Sequence, residues 1–236
     1  MIDKAYASPA AALAGTPDGA AVMIGGFGEA GSPIELIHAL IDQGARELTV
    51  ISNNTGSGRV GLAALIAAGR VAKVVCSYPR SANSMVFPEL YRSGRIQLEL
   101  VPQGTLAERI RAGGAGVPAF YTATGVGTML ARGKEVRSFG GRDYLLELAL
   151  TADLALVRAD RSDRYGNLTF SKTARNFGPI MCTAAKCAIA QVREVVPAGM
   201  IDPEAVVTPG IFVDRVVLVP EPAQESALVR EGATYP

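Results

Sequence analysis

Between residues 20 and 112 short apolar runs alternate with amphipathic stretches, and this alternation constrains the fold more than any single motif. Positions 21–24, 47–51, 72–76 and 96–101 read as buried strands. Positions 33–43, a stretch near 60–68 ending at Gly69, and one near 84–92 read as helices, followed by a short helix from Leu106 to Gly113. Strands in alternation with helices imply βαβ units, a parallel sheet, and ligand sites at the carboxyl ends of the strands. Two helix starts carry capping boxes: Ser32 to Glu35, with proline at the first helical position, and Thr105 to Glu108. After residue 115 the pattern turns strand-like, with 135–139, a Gly140-Gly141 turn, 144–148 and 154–158. A helix at 179–185 and strands at 188–192 and 211–219 complete it. With no internal repeat and no linker, the expectation is a single α/β domain with a largely parallel sheet flanked by helices. Its core spans about 5–219, and the polar tail, 220–236, is expected to be loosely ordered.

Charge narrows the function. Lys+Arg 23 against Asp+Glu 22 leaves a net charge of +1, which excludes a binder that relies on neutralising nucleic-acid phosphates. The charged fraction of 19% is below the usual ~25%, as expected of a surface partly covered by another subunit. Cys76, Cys182 and Cys187 form neither a disulfide framework nor a zinc site, so a reducing cytoplasm is the simplest compartment. The N-terminus lacks the apolar stretch of a signal peptide, and no apolar run is long enough to span a membrane. No metal site is expected.

Glycine is in excess, and eleven of the 26 lie in tight clusters: Gly25/Gly26/Gly28/Gly31, Gly113/Gly114/Gly116, Gly125/Gly127 and Gly140/Gly141. Clustering of this kind marks backbone brought close to something. Gly26-Phe27-Gly28-Glu29-Ala30-Gly31 fits the dinucleotide fingerprint G-x-G-x-x-G. The second strand, however, ends Ile51-Ser52-Asn53-Asn54, without the carboxylate that would hold a ribose, and Pro33 delays the helix. What remains is either a tight strand-to-helix turn or a set of backbone N–H groups beside a helix amino end, suited to a phosphate, a carboxylate or an oxyanion.

No chemical engine accompanies this loop. The only histidine, His38, points away from the apolar face of its helix and reads as a surface residue. Cys76 ends an apolar strand, and Cys182 and Cys187 sit among alanines, so all three read as inert. Glu29, Asp160 and Asp163 are the candidate carboxylates, the last two within a run of charges expected to be solvated. There is no nucleophile elbow, P-loop or zinc-protease motif. The pattern is that of half of a shared active site.

Several blocks, taken together, resemble the A-type half of the family I CoA-transferases. They are the stretch from Asp18 to Pro33, Ser52-Asn53-Asn54-Thr55-Gly56, Ser77-Tyr78-Pro79-Arg80, and the stretch from Val101 to Gly116. Tyr121 to Gly125, Asp163 to Leu168 and Ala174-Arg175-Asn176-Phe177 follow in order. The resemblance implies a heteromeric enzyme, expected as α2β2, that moves CoA from succinyl-CoA to a 3-oxo acid by ping-pong chemistry. The nucleophile would be a glutamate of the B subunit; the B-type Ser-Glu-Asn-Gly block is absent here. No permanently bound cofactor is implied, the CoA thioester being a substrate. By motif, Gly25, Gly26, Phe27, Gly28, Glu29, Ala30 and Gly31 would line the CoA and acyl region, with Gly104 beside them. Gln103 would donate to the thioester oxyanion and Asn53 and Asn54 would line the same pocket. Structural alternatives are a local loop amide for Gln103, a turn pair for the asparagines and, for Glu29, the nucleophile itself. The expected acceptor is 3-oxoadipate, with acetoacetate as the alternative. Only the former carries a distal carboxylate, for which Arg80 and Arg175 are the candidate partners. A non-catalytic ligand-binding domain with the same loop, or a sugar-phosphate isomerase of related architecture, are the competing readings.

Overall fold

A computed structural model describes residues 2–80 and 83–235. Twelve strands and seven α-helices follow one another in these residues. The first part of the chain holds β1 (Ala5–Tyr6), α1 (Pro9–Leu13), β2 (Ala21–Ile24), α2 (Ile34–Gln43), β3 (Leu48–Ile51), α3 (Gly61–Ala67), β4 (Val71–Cys76), α4 (Val86–Arg92), β5 (Gln97–Leu100) and α5 (Gln103–Gly114). There follow β6 (Ala119–Thr122), β7 (Val136–Phe139), β8 (Arg142–Leu148), β9 (Ala152–Asp163), β10 (Leu168–Thr169), α6 (Gly178–Ala184), β11 (Ala185–Val196), β12 (Arg215–Leu218) and α7 (Glu225–Arg230).

The main sheet runs in the order β1-β12-β11-β9-β2-β3-β4-β5, every neighbour parallel, with only β10 antiparallel against β9. Its inner strands β2 and β3 and the first halves of β9 and β11 are largely apolar on both faces, as covering on both sides requires. Val22, Ile24, Val50, Val74 and Leu156 face one core with α1 to α4; Met23, Ile51, Val75, Ala155 and Val157 face another with α5 and α6. Residues 119–148 leave this sheet as a separate antiparallel one, β6-β8-β7, whose Gly140-Gly141 turn closes the β7–β8 hairpin. The α/β class and the parallel sheet flanked by helices are thus as the sequence implies. Chain order reverses between β2 and β9, and the 25–31 loop leaves β2 at that switch point, where open α/β sheets hold ligands.

Several expectations need correction. Both capping boxes fail. Pro33, at the N-cap of α2, makes no side-chain cap; its carbonyl receives the Ile37 N–H, and the Leu36 N–H goes instead to Gln191 Oε1 on β11, 3.2 Å away. In α5 Pro102 supplies the first carbonyl, to the Leu106 N–H, so the helix begins at Gln103 and the Thr105 hydroxyl is buried within its first turn, without a partner among the described residues. β9 and β11 run to 12 residues each, longer than their apolar segments, because their charged ends still pair in register and Arg161 meets Glu194 across them. β12 starts only at Arg215, since Pro209 initiates a 3-10 turn over Gly210–Phe212. The tail is not loose. It carries α7, and Tyr235 stacks on His38 with ring centroids 3.7 Å apart while its hydroxyl donates to Asp42. That contact also corrects His38, which is half-buried and accepts the Gly61 N–H through Nε2.

Candidate active site

The glycine loop is a tight reversal. Phe27 and Ala30 exchange backbone hydrogen bonds, so Gly28 and Glu29 form its tip. Asn176 holds it from below: its Oδ1 accepts the Gly26 N–H at 3.2 Å and its Nδ2 donates to the Ala30 carbonyl at 2.8 Å. Gly31 has φ +78°, and a Cβ there would lie 2.4 Å from the Ala174 carbonyl oxygen. The last glycine of the motif is therefore a packing requirement, and the Ala174-to-Phe177 block is what it packs on. The amides of Gly25, Gly26, Phe27 and Ala30 are all engaged within the protein. The amino end of α2 is plugged as well, by Gln191, which is 1% exposed and whose Nε2 donates to Glu35.

The amino end of α5 is different. Its first-turn N–H groups have no helical acceptor, as at any helix start, and the positive end of the helix dipole lies there. A Cβ at Gly104 would meet nothing within 4 Å. Gln103 Nε2 donates to Asn53 Oδ1 at 2.6 Å, and Asn53, 3% exposed, is fixed at the end of β3 by its carbonyl, which accepts the Ser77 and Tyr78 N–H groups. This bond orients the Gln103 amide and leaves its second N–H for something else. Asn54 acts as a turn residue: its Oδ1 receives the Gly56 N–H at 2.8 Å.

Two clefts meet at the half-exposed Phe27 side chain. The smaller, of about 340 Å³, contains Gln103, Gly104, Asn176 and Phe177. The larger, of about 630 Å³, contains Phe27, Gly28, Glu29, Asn53, Asn54, Tyr78 and Arg80, with α7 as its far wall. Of the loop residues singled out in the sequence, Gly25 and Gly26 lie buried beneath the clefts, and Ala30 and Gly31 face a separate recess of about 240 Å³. Arg175 is exposed and lines none of these spaces. The Glu29 carboxylate is occupied by the Ser226 N–H at 2.8 Å and its hydroxyl at 3.0 Å, so it clasps the tail. Asp163, expected in a solvated run, is buried; it accepts the Tyr165 and Asn167 N–H groups and so builds the turn after β9. Burial pushes the Cys76 and Cys182 thiols up to about 12 and raises that of Cys187, which keeps all three unreactive. Sequence reasoning missed Gln191 and the α7 residues, because neither carries a local signal: each acts across more than 150 positions of chain.

The model of the coenzyme A transferase family matches residues 6–218. The chain belongs to this family. Among its relatives, the A subunit of the 3-oxoadipate CoA-transferase of Pseudomonas putida is 60% identical over 226 residues, covering 96% of this chain and 98% of that protein. The A subunit of the succinyl-CoA:3-ketoacid coenzyme A transferase of Xanthomonas campestris is 52% identical over 232 residues, covering 97% and 95%. A crystal structure of an acyl-CoA transferase from Escherichia coli O157:H7 superposes with a TM-score of 0.85 at 25% identity, over 94% of this CoA-transferase chain and 48% of the longer one. The CoA-transferase chain thus spans about half the length of that enzyme. Among the described residues no helix is long and apolar enough to cross a membrane.

Proposed function

We propose that this chain is the A subunit of a cytoplasmic, heteromeric CoA-transferase that moves CoA from succinyl-CoA to 3-oxoadipate. One observation carries the reading: the Gln103 amide is oriented by its bond to Asn53 at the amino end of α5, which suits it to donate to a developing oxyanion. The nucleophile is a glutamate carboxylate of a B-type subunit. It adds to the thioester carbonyl, the C–S bond breaks, and CoA leaves as thiolate from an acyl-glutamyl anhydride. The thiolate then attacks the glutamyl carbonyl, and succinate departs with the C–O bond electrons. The acceptor carboxylate reverses both steps. Each addition places negative charge on a carbonyl oxygen, and the second Gln103 N–H with the α5 dipole stabilises it. Arg80 lines the larger cleft and pairs, on this reading, with the distal carboxylate of the acceptor.

The experiment is reconstitution with the co-purifying partner. Succinyl-CoA is offered with 3-oxoadipate or acetoacetate and the 3-oxoacyl-CoA product is followed. Transfer that requires the partner and prefers 3-oxoadipate is expected. Preference for acetoacetate overturns the acceptor, and transfer by this chain alone overturns the half-site reading.

A further inference from the structure

The C-terminal segment carries no motif, yet it forms one wall of the larger cleft through Glu225, Ser226, Val229 and Arg230. It is anchored at separate points along its length. Glu35 accepts the Ala223 N–H, Glu29 clasps Ser226, Val229 lies over Gly58, and the Tyr235 N–H donates to the Arg59 carbonyl. Arg230 is thereby held in the cleft that Arg80 enters from the end of β4. Both arginines are exposed to the cleft, and among the described residues neither has a carboxylate or carbonyl partner. The carboxylates nearby are already committed, Glu29 to Ser226 and the buried Glu225 to Ser57. Phe27, Tyr78 and Val229 supply apolar walls between them. Two guanidinium forks that bond neither of these carboxylates, in a cleft with aromatic walls, suit a carboxylate on an apolar chain.

We propose that Arg230, together with Arg80, receives the distal carboxylate of a dicarboxylic acyl group, and that residues 220–235 belong to the acyl site. The inference rests on the proposed function and extends it. A ping-pong enzyme seats its donor and acceptor acyl groups in turn in one cleft. The succinyl and 3-oxoadipyl groups differ by two carbons, so their carboxylates end at different depths. Two arginines in the one cleft serve both lengths.

The test is a half-reaction on the assembled complex. Succinyl-CoA, 3-oxoadipyl-CoA or acetoacetyl-CoA is added without acceptor, and the CoA thioester formed on the partner is counted by mass spectrometry. Arg230→Ala is expected to raise the half-saturating concentration about ten-fold for the two dicarboxylic donors, while acetoacetyl-CoA shifts less than about two-fold. Arg230→Lys should restore part of the loss. An equal shift for all three donors, or none for any, overturns the role of Arg230. A wild-type complex that loads from succinyl-CoA and acetoacetyl-CoA but not from 3-oxoadipyl-CoA overturns the proposed acceptor alone. Arg230 is then judged on succinyl-CoA against acetoacetyl-CoA.

Discussion

Two helices begin just beyond the carboxyl ends of strands, α2 after β2 and α5 after β5, and they use their amino ends in opposite ways. The α2 end follows the conspicuous glycine motif, yet it is sealed. Gln191 accepts its Leu36 N–H and binds its Glu35, and the loop in front of it spends the Gly25, Gly26, Phe27 and Ala30 amides on Leu156, on Asn176 and on itself. The α5 end follows an unremarkable Val101-Pro102, has no side-chain cap among the described residues, and carries Gln103 in a cleft. The difference teaches that a glycine-rich loop at a switch point can be a packing device whose contribution to chemistry is to bring other groups into place. On this account, substitutions around α2 change stability, and a substitution at the start of α5 changes turnover.

The comparison breaks most easily at Gly31. Gly31→Ala must move the Ala174 carbonyl and adopt a left-handed backbone, at a cost of about 2–5 kcal/mol in urea unfolding. A variant as stable as wild type would return the loop to the status of a free ligand cradle. Gln191→Leu keeps the volume but orphans the Leu36 N–H and leaves the Glu35 carboxylate with the Ala223 N–H on one oxygen and nothing from Gln191 on the other; a loss of about 2–3 kcal/mol is expected. If chemical denaturation found this variant unchanged, the plug would be incidental. The smallest effect concerns the outer face of α2. Burial holds the His38 pKa below its ordinary 6.5, outweighing the raising influence of Glu35 and Asp42. The folded state therefore binds this proton less readily than the unfolded one, so the contribution of His38 is present above pH 6.5 and is lost as the pH falls. Acidification from about pH 7.5 to 5.5 should lower the melting temperature of wild type more than that of His38→Gln. Equal shifts would remove His38 and its Tyr235 stack from the anchoring of the tail.

How much of this was legible depended on range. β2, β3, β4, α2 and α6 follow from local apolar runs to within a residue or two, and the sharp turns from glycine. The close approach implied by the 113–114 cluster is also there, since a Cβ on Gly113 would sit 2.0 Å from the Leu150 carbonyl oxygen. Long-range partners were not legible. The capping boxes are correct as patterns, but Gln191 outcompetes Ser32 for one helix and Pro102 moves the start of the other. The helical wheel turned His38 away from the core correctly; what covers it is Tyr235, nearly 200 residues later in a segment whose polarity reads as solvent. The blocks that resemble the family named Asn53 and Gln103 separately, and only the fold reveals that one orients the other.

The most direct measurement is the turnover of the Gln103→Ala chain in complex with its partner, set beside its melting temperature. Gln103 is partly exposed and, among the described residues, its side chain bonds only Asn53, so the account predicts a melting temperature close to wild type. It also predicts a fall in kcat of about 10²–10³. An unchanged kcat in a folded complex would contradict the assignment of the α5 amino end as the site where charge develops.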